Sequence, residues 1–395
     1  MTTINLPLFK AFIHTTSIKI HKLDYTPSLI TAWMRVIAAI YSIIKLNRPH
    51  LIIPTDYLIG FALFIISFMI LASQTYKLVG LNIKELEANN LNATFKYIKK
   101  KSIFMSENNS KFPDYVTFGR TFENYKWYKP LLTIIVSIIL FLVFQAILIV
   151  VFSSIYGFDT ISGMVRGGYN TLNTSDASVY FSYLSIAIFL PSLYLASRIV
   201  HDRPFSSYSS SRGGWNWKLY FKCLIIPIIV YIIVTAIAIV LGIEKGGGKT
   251  QVSAITLILC LILIPVQCIA EEYIFRGFVM QTLGSWFKMP IIALIIQTVA
   301  FAILHLYNSS GIVGVAVTGF ILGFLAWRTN GLEAGAALHS INNLTGFYLV
   351  ILGLGSISSN VTLGILAENI TATLISALLI YYLGNKKGWF DQKTN

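Results

Sequence analysis

From residue 131 onward the chain alternates long apolar runs with short polar connections. Runs near the ~20 residues needed to cross the hydrocarbon of a bilayer lie at Leu131 to Tyr156, Tyr180 to Val200, Phe221 to Ile243, Val252 to Ala270, Ile291 to Leu306, Gly311 to Trp327, Leu332 to Leu352 and Val361 to Leu383. The pattern predicts an all-α fold, a polytopic transmembrane bundle of eight core spans in one continuous unit. Upstream, Tyr57 to Ala72 is a further apolar run, and the weaker Leu29 to Ile44, interrupted by Arg35, can pair with it as a hairpin around Arg48-Pro49-His50. The chain therefore divides into an N-terminal extension at 1–122 with one or two membrane segments, a core at 123–390 and a short tail at 391–395. Anchoring is the favoured role of the extension over recognition or regulation.

Composition agrees with a membrane protein. Hydrophobic residues make up 55% of the chain and charged residues 12%, with mean hydropathy +0.71, whereas soluble domains carry about 25% charged residues. A net charge of +14 raises the question of nucleic acid. The basic residues, however, cluster between the apolar runs, as orientation signals do. Lys126 and Lys129, then Arg203, Arg212, Lys218 and Lys222, then Arg328, then Lys386 and Lys387 mark alternate connections as cytoplasmic. The segments around Asp159 to Asp176, Glu244 to Lys249 and Gly353 to Asn360 carry no basic excess and face outward. Both ends of the core then lie in the cytoplasm of an integral protein of the cell membrane. Lys99-Lys100-Lys101 reads as a solvated topology signal rather than a lipid site. The opening Met1-Thr-Thr-Ile-Asn lacks secretory-signal features, so no processed leader is expected.

Cys223, Cys260 and Cys268 fall in or against spans without zinc-type pairing and read as small hydrophobes. Gly246-Gly247-Gly248-Lys249-Thr250 resembles half of a phosphate loop, but Ile243 stands where the first glycine is required, and a flexible connector is the better reading. No nucleotide and no nucleic acid are expected.

Ionisable groups at membrane depth cost about 2.5–3.5 kcal/mol each even on lenient insertion scales, so those that persist point to function. Glu271 and Glu272 follow the Val252 to Ala270 run, and two later runs each carry one histidine, His305 and His339. Spacing sorts these groups by helix face. Glu272 and Arg276 are four apart and can pair, which lowers the cost of burying either, while Glu271 is rotated about 100° to point elsewhere. Phe301 and His305 repeat the spacing on a second helix, and His339 and Asn343 on a third; Asn342, three places from His339, is the alternative amide. Three polar faces can converge on one pocket. Gly311, Gly314, Gly319, Gly323 and Gly335 serve close helix packing.

A carboxylate beside a compensated ion pair, two imidazoles and an amide suit attack of water on a peptide bond. Partial burial raises a carboxyl toward the range of a general base, which suits Glu271. His305 shares or orients the water, or ligates a metal that acidifies it. His339 and Asn343 donate to the developing oxyanion. No Ser or Cys stands in a comparable nucleophile arrangement.

The ordered motifs Glu271-Glu272-xxx-Arg276, Phe301-xxx-His305 and His339-xxx-Asn343 resemble those of the CPBP family, the CAAX-protease and bacteriocin-processing intramembrane endopeptidases also called the ABI family, and so a type II CAAX prenyl endopeptidase-like protein. The resemblance covers about residues 123 to 390. It implies that Glu271 is the catalytic glutamate, that Glu272 and Arg276 support it, that His305 positions water or binds metal, and that His339 and Asn343 form the oxyanion site. It leaves open whether a divalent metal such as zinc takes part, with His305, His339 and Glu271 as its ligands. The implied substrate is a hydrophobic or lipidated peptide or protein, prenylated or bacteriocin-like, reached from the bilayer. A non-catalytic immunity or scaffold protein using the same cavity is the alternative. A transporter would spread polar groups through both halves of the chain.

With straight rods the three faces stand at unequal depth, with Glu271 near the cytoplasmic end and His305 about 20 Å in from that side. The helix bearing Glu271 is therefore expected to run past Arg276 to near Gly284, ending in an interfacial turn between Gly284 and Pro290 that contains Trp286 and Lys288.

Overall fold

A computed structural model of the protein describes residues 111–167, 175–243, 252–305, 307–355 and 360–393. The N-terminal membrane segments, the lysine triplet and the glycine-rich connector at 246–250 lie outside the described residues. Eleven helices are labelled here: α1 Lys129–Tyr156, α2 Phe158–Gly167, α3 Asp176–Ala187, α4 Phe189–Val200, α5 Trp217–Val240, α6 Ala254–Glu272, then after a π-helical stretch Tyr273–Met280, α7 Gln281–Phe287, α8 Pro290–Ile303, α9 Ser309–Arg328, α10 Glu333–Ile351 and α11 Leu363–Lys386. Among the described residues there is no strand beyond a single antiparallel bridge between Ser210 and Gly331. The fold is an all-α polytopic bundle.

Each apolar run of the core is helical, with boundaries set by local chemistry. Ser175, Asn216, Ser253, Asn308 and Thr362 accept hydrogen bonds from backbone N–H groups at the starts of α3, α5, α6, α9 and α11. Six stretches are long and apolar enough to span a bilayer: α1, α3 with α4, α5, α6 through α7, α9 and α11. The other two expected spans are weaker. α8 has 14 residues, about 21 Å at 1.5 Å per residue. α10 has 19 residues, and its N-terminal half carries Glu333, His339 and Ser340, all buried. The run Tyr180 to Val200 divides into α3 and α4 at Ile188. Pro191 lacks the N–H that would reach back to Ala187, so the helix restarts there.

α5 packs against α10 and α11, α6 against α3 and α10, and α9 against α8, α10 and α11. Glycine permits the closest of these approaches. A Cβ on Gly323 would lie 2.5 Å from Leu294 Cδ1 and 2.6 Å from Gln297 Nε2, so α8 and α9 meet through it.

The basic end of the bundle, marked by Lys129, Lys218, Arg328, Lys386 and Lys387, is closed by polar chemistry that charge counting alone did not anticipate. Arg212, expected as an orientation signal, is buried, and the side chain of Arg203, expected as another, is 4% exposed. Arg212 Nη2 donates to Glu333 Oε2 at 2.5 Å with both side chains fully buried, and the Asn216 N–H donates to Glu333 Oε1 at 2.9 Å. A pair excluded from water persists only with such surrounding bonds. Arg203 donates to Gln281 at 2.9 Å and lies 4.2 Å over the Tyr208 ring. Tyr208 donates to Asp202 at 2.8 Å, and burial above all holds its phenol well above the ordinary value, so it remains a donor. Residues 113–127 lie across this end. The Tyr115 hydroxyl donates to the Tyr208 carbonyl, Trp327 Nε1 donates to Asp114 at 2.7 Å, and Trp286 Nε1 donates to the Trp127 carbonyl at 3.0 Å.

Removing one partner of the Arg212–Glu333 pair strands the other in a dry interior, so Arg212→Ala is expected to cost about 3–5 kcal/mol, whereas Arg212→Met combined with Glu333→Leu costs far less. Heating detergent-solubilised protein and following loss of the monodisperse species checks both. Gly323→Ala is expected to destabilise by about 1–3 kcal/mol through overpacking in the same assay.

Candidate active site

The site is built where α6 departs from regular geometry. Pro265 removes one hydrogen bond of α6, and from Tyr273 to Met280 the backbone is π-helical, a geometry that tends to accompany functional sites. The continuous helix runs from Ala254 to Phe287, so Glu271 stands near its middle rather than at an end. The expected extension past Arg276 is present, and the turn that ends it is confined to Lys288 and Met289, with Lys288 in the left-handed region. The depth mismatch is resolved from both sides. Glu333, the first residue of α10, is itself buried beneath the 206–216 segment, which carries His339 deeper than its sequence position suggests.

The two adjacent glutamates occupy different environments. The Glu272 side chain is fully buried, and its Oε1 accepts from Arg276 Nη1 at 2.8 Å and from His339 Nδ1 at 2.9 Å. Arg276 also donates to the Gly319 carbonyl at 2.9 Å and lies 4.3 Å over the Phe301 ring. Gly319 cannot bear a side chain here, since a Cβ would sit 2.9 Å from Phe301 Cδ1. Glu271 points the other way, as the 100° offset predicts. Its side chain is 13% exposed, lines the cavity, and places Oε2 3.4 Å from His339 Nε2.

Hydrogen bonds assign the imidazole tautomers. Because Nδ1 of His339 faces a carboxylate oxygen, it is the donor, and Nε2 faces Glu271. His305 lies beyond the end of α8, not on the helix as expected, yet retains the four-residue relation to Phe301. Its Nδ1 donates to the Phe301 carbonyl at 2.8 Å, which leaves Nε2 unengaged by that bond. The Phe301 ring centroid lies 4.7 Å from the His305 ring and 6.0 Å from that of His339, so one aromatic side chain sets both imidazoles.

Asn343 lines the same cavity, and its Nδ2 donates to Gln267 Oε1 at 3.3 Å. Gln267 is a residue that the motif reading missed. It is 2% exposed and stands one turn before Glu271 on the same helix face, a spacing that sequence alone could have used. Asn342, the alternative amide, lines the same cavity. Its Oδ1 accepts from Tyr231 at 3.0 Å and from Asn369 at 2.6 Å, and its Nδ2 donates to Asn343 Oδ1 at 3.2 Å. These residues bound a cavity of about 460 Å³ between α3, α6, α9, α10 and α11.

The structure thus brings Glu271, His305, His339 and Asn343 to one cavity and places Glu272 and Arg276 behind them as a buried brace. Among the described residues, no group of three or more His, Cys, Asp or Glu side chains is placed to hold a metal ion. The expected ligand set Glu271, His305 and His339 is therefore not formed as such. The three cysteines are buried and unpaired.

Residues 253–345 match the family described as type II CAAX prenyl endopeptidase Rce1-like. An uncharacterized protein of Bacillus subtilis (strain 168), YyaK, is 27% identical over 176 residues, covering 42% of this chain. The chain spans 59% of the length of that relative. No solved structure matches. The six span-length helices are those of an integral membrane protein. The segment 253–345, which contains Glu271, His305, His339, Asn343 and the brace behind them, is matched by the Rce1-like family of type II CAAX prenyl endopeptidases.

Proposed function

We propose that the protein is an intramembrane endopeptidase that hydrolyses a peptide bond of a membrane-associated peptide or protein with water activated by Glu271. The observation that carries this reading is the division of labour between neighbouring glutamates. Glu272 is neutralised by Arg276 and accepts from His339 Nδ1 in a fully buried position, while Glu271 faces the cavity beside an imidazole nitrogen.

In this reading Glu271 takes a proton from a water held between it and the His305 imidazole, and the hydroxide adds to the scissile carbonyl carbon. The oxyanion so formed accepts from the amide N–H of Asn343 that is not committed to Gln267. The proton on Glu271 passes across the 3.4 Å gap to His339 Nε2. The resulting imidazolium is stabilised by Glu272 through Nδ1, as a buried carboxylate stabilises the imidazolium of a catalytic triad. His339 then protonates the departing amine as the carbon–nitrogen bond breaks, giving a carboxylic acid and an amine; the acid then gives its proton to the regenerated Glu271 carboxylate or to the released amine. No metal enters these steps.

Glu271→Gln keeps size and hydrogen bonding but removes the base, so cleavage is expected to fall about 10²–10⁴-fold with the fold intact. Proteomic comparison of membrane-protein termini in cells carrying the native chain or the variant, with equal expression verified, identifies substrates as termini present only with the native chain. If a phenotype of the native chain survives and no terminus changes, the protein is a binding or immunity protein and the peptidase reading fails. Glu272→Gln tests the brace. It is expected to lose activity and also to lower thermal stability in detergent by about 3–5 kcal/mol, because Arg276 is left unpaired.

A further inference from the structure

Only one half of the Asn343 side chain suits an oxyanion. An amide presents a carbonyl oxygen on one side and two N–H donors on the other, and the two halves are nearly equal in size, so packing alone does not choose between them. With its NH2 toward the cavity the group stabilises a developing negative charge; turned about, it sets a carbonyl dipole against that charge. The choice has to be made by hydrogen bonds from neighbouring groups.

Those bonds form a chain of side-chain amides that reaches Asn343 from α11 and α5. Asn342 Nδ2 donates to Asn343 Oδ1 at 3.2 Å, which commits that oxygen and leaves Asn343 Nδ2 to face Gln267 and the cavity. Asn342 is oriented in its own right, because its Oδ1 accepts from Asn369 Nδ2 of α11 at 2.6 Å and from the Tyr231 hydroxyl of α5 at 3.0 Å. Asn369 Oδ1 accepts in turn from the Thr318 hydroxyl of α9 at 3.3 Å. From Asn369 through Asn342 and Asn343 to Gln267 each amide therefore donates in the same sense, and bonds aligned in this way reinforce one another. Reversing Asn342 alone would set its NH2 against that of Asn369 and its oxygen against that of Asn343. Asn342 and Asn343 thus hold their sense together, and the donors that impose it on Asn342 are Asn369 and Tyr231.

This chain is separate from the Glu272 brace, which holds His339. Tyr231 is 4% exposed, and it and Asn369 stand on helices before and after the segment 253–345 that the family match covers. On the reading of the polar cluster as a peptidase site, we propose that Tyr231 and Asn369 are positioning residues for the reaction: acting through Asn342, they hold Asn343 with its N–H donors toward the place where the oxyanion forms. The motif residue supplies the donor, and two helices outside the matched segment decide which way it points.

Steady-state kinetics of the purified full-length chain in lipid vesicles test this, with an internally quenched peptide spanning a cleavage site found by the comparison of termini. Loss of an oxyanion donor lowers kcat about 10²–10³-fold. Loss of its orientation is expected to stay within that ceiling, so Asn369→Leu should lower kcat about 10–100-fold. KM should be unchanged, because the bond is made only in the transition state. A double-mutant cycle separates positioning from support of the fold: in the Asn343→Ala background Asn369→Leu is expected to lower kcat no further, since there is no amide left to orient. An equal fall of kcat in both backgrounds, an unchanged kcat in the native background, or a change confined to KM overturns the proposal. Should Asn369→Leu fail to fold, Tyr231→Phe, which removes a single hydroxyl, carries the same cycle with the same expected sign. Cleavage that requires Glu271 but is indifferent to Tyr231 and Asn369 overturns this inference alone. Absence of any cleavage that requires Glu271 overturns the peptidase reading, and this inference with it.

Discussion

A single carboxylate, that of Glu272, ties the site together. It is fully buried, and its Oε1 accepts from both Arg276 and His339. Through the first bond it joins the last turn of α6 to the π-helical stretch; through the second it joins that helix to α10. A carboxylate with one such partner would remain costly at this depth, and an imidazole without one would be free to turn. Joined, they fix the tautomer of His339 and direct Nε2 toward the cavity. Arg276 extends the connection to α9 through the Gly319 carbonyl and to Phe301 through its ring face. Phe301 in turn holds His305 through its carbonyl. Four helical segments are thus registered to one another around one buried charge.

The elements and the chemistry were legible to different degrees. Apolar run length located the helical core because lipid demands continuous internal hydrogen bonding of the backbone. Four-residue spacing identified the Glu272–Arg276 pair and the divergence of Glu271, since both follow from 3.6 residues per turn. The π-helical stretch Tyr273–Met280, which packs against α4, α8, α9 and the 206–209 turn, was not legible, because it has no composition of its own. His305 lies past the end of α8 for a related reason: the spacing to Phe301 survives in a tightened turn as well as in a helix. The Arg212–Glu333 pair joins residues 121 positions apart in sequence. Periodicity is blind to such separations, so Arg212 read as an orientation charge. Gln267 lay on the Glu271 face throughout, but an amide amid aliphatic residues looks like an isolated core polar group until Asn343 is placed opposite it.

The two halves of the bundle differ in what fills them. Arginine, glutamate, tyrosine and glutamine, each paired, close the basic end; small residues and amides line the cavity in the other half. Paired polar groups demand fixed geometry and make that end rigid, whereas glycines on α9 and α10 leave room without specifying its contents. Rigid support behind the cavity-facing polar groups and adaptable space in front of them is an arrangement that suits the proposed peptide hydrolysis.

The brevity of α8 bears on the surrounding lipid as well as on the site. A helix about 21 Å long cannot match hydrocarbon about 30 Å thick without local thinning of the bilayer or tilting of its neighbours, each at a fraction of a kcal/mol per ångström of mismatch. Because α8 carries Phe301 and leads to His305, acyl-chain length becomes a mechanical load on the two imidazoles. Membrane thickness is then a variable of the geometry of the candidate site, and lipid composition is a natural control on it.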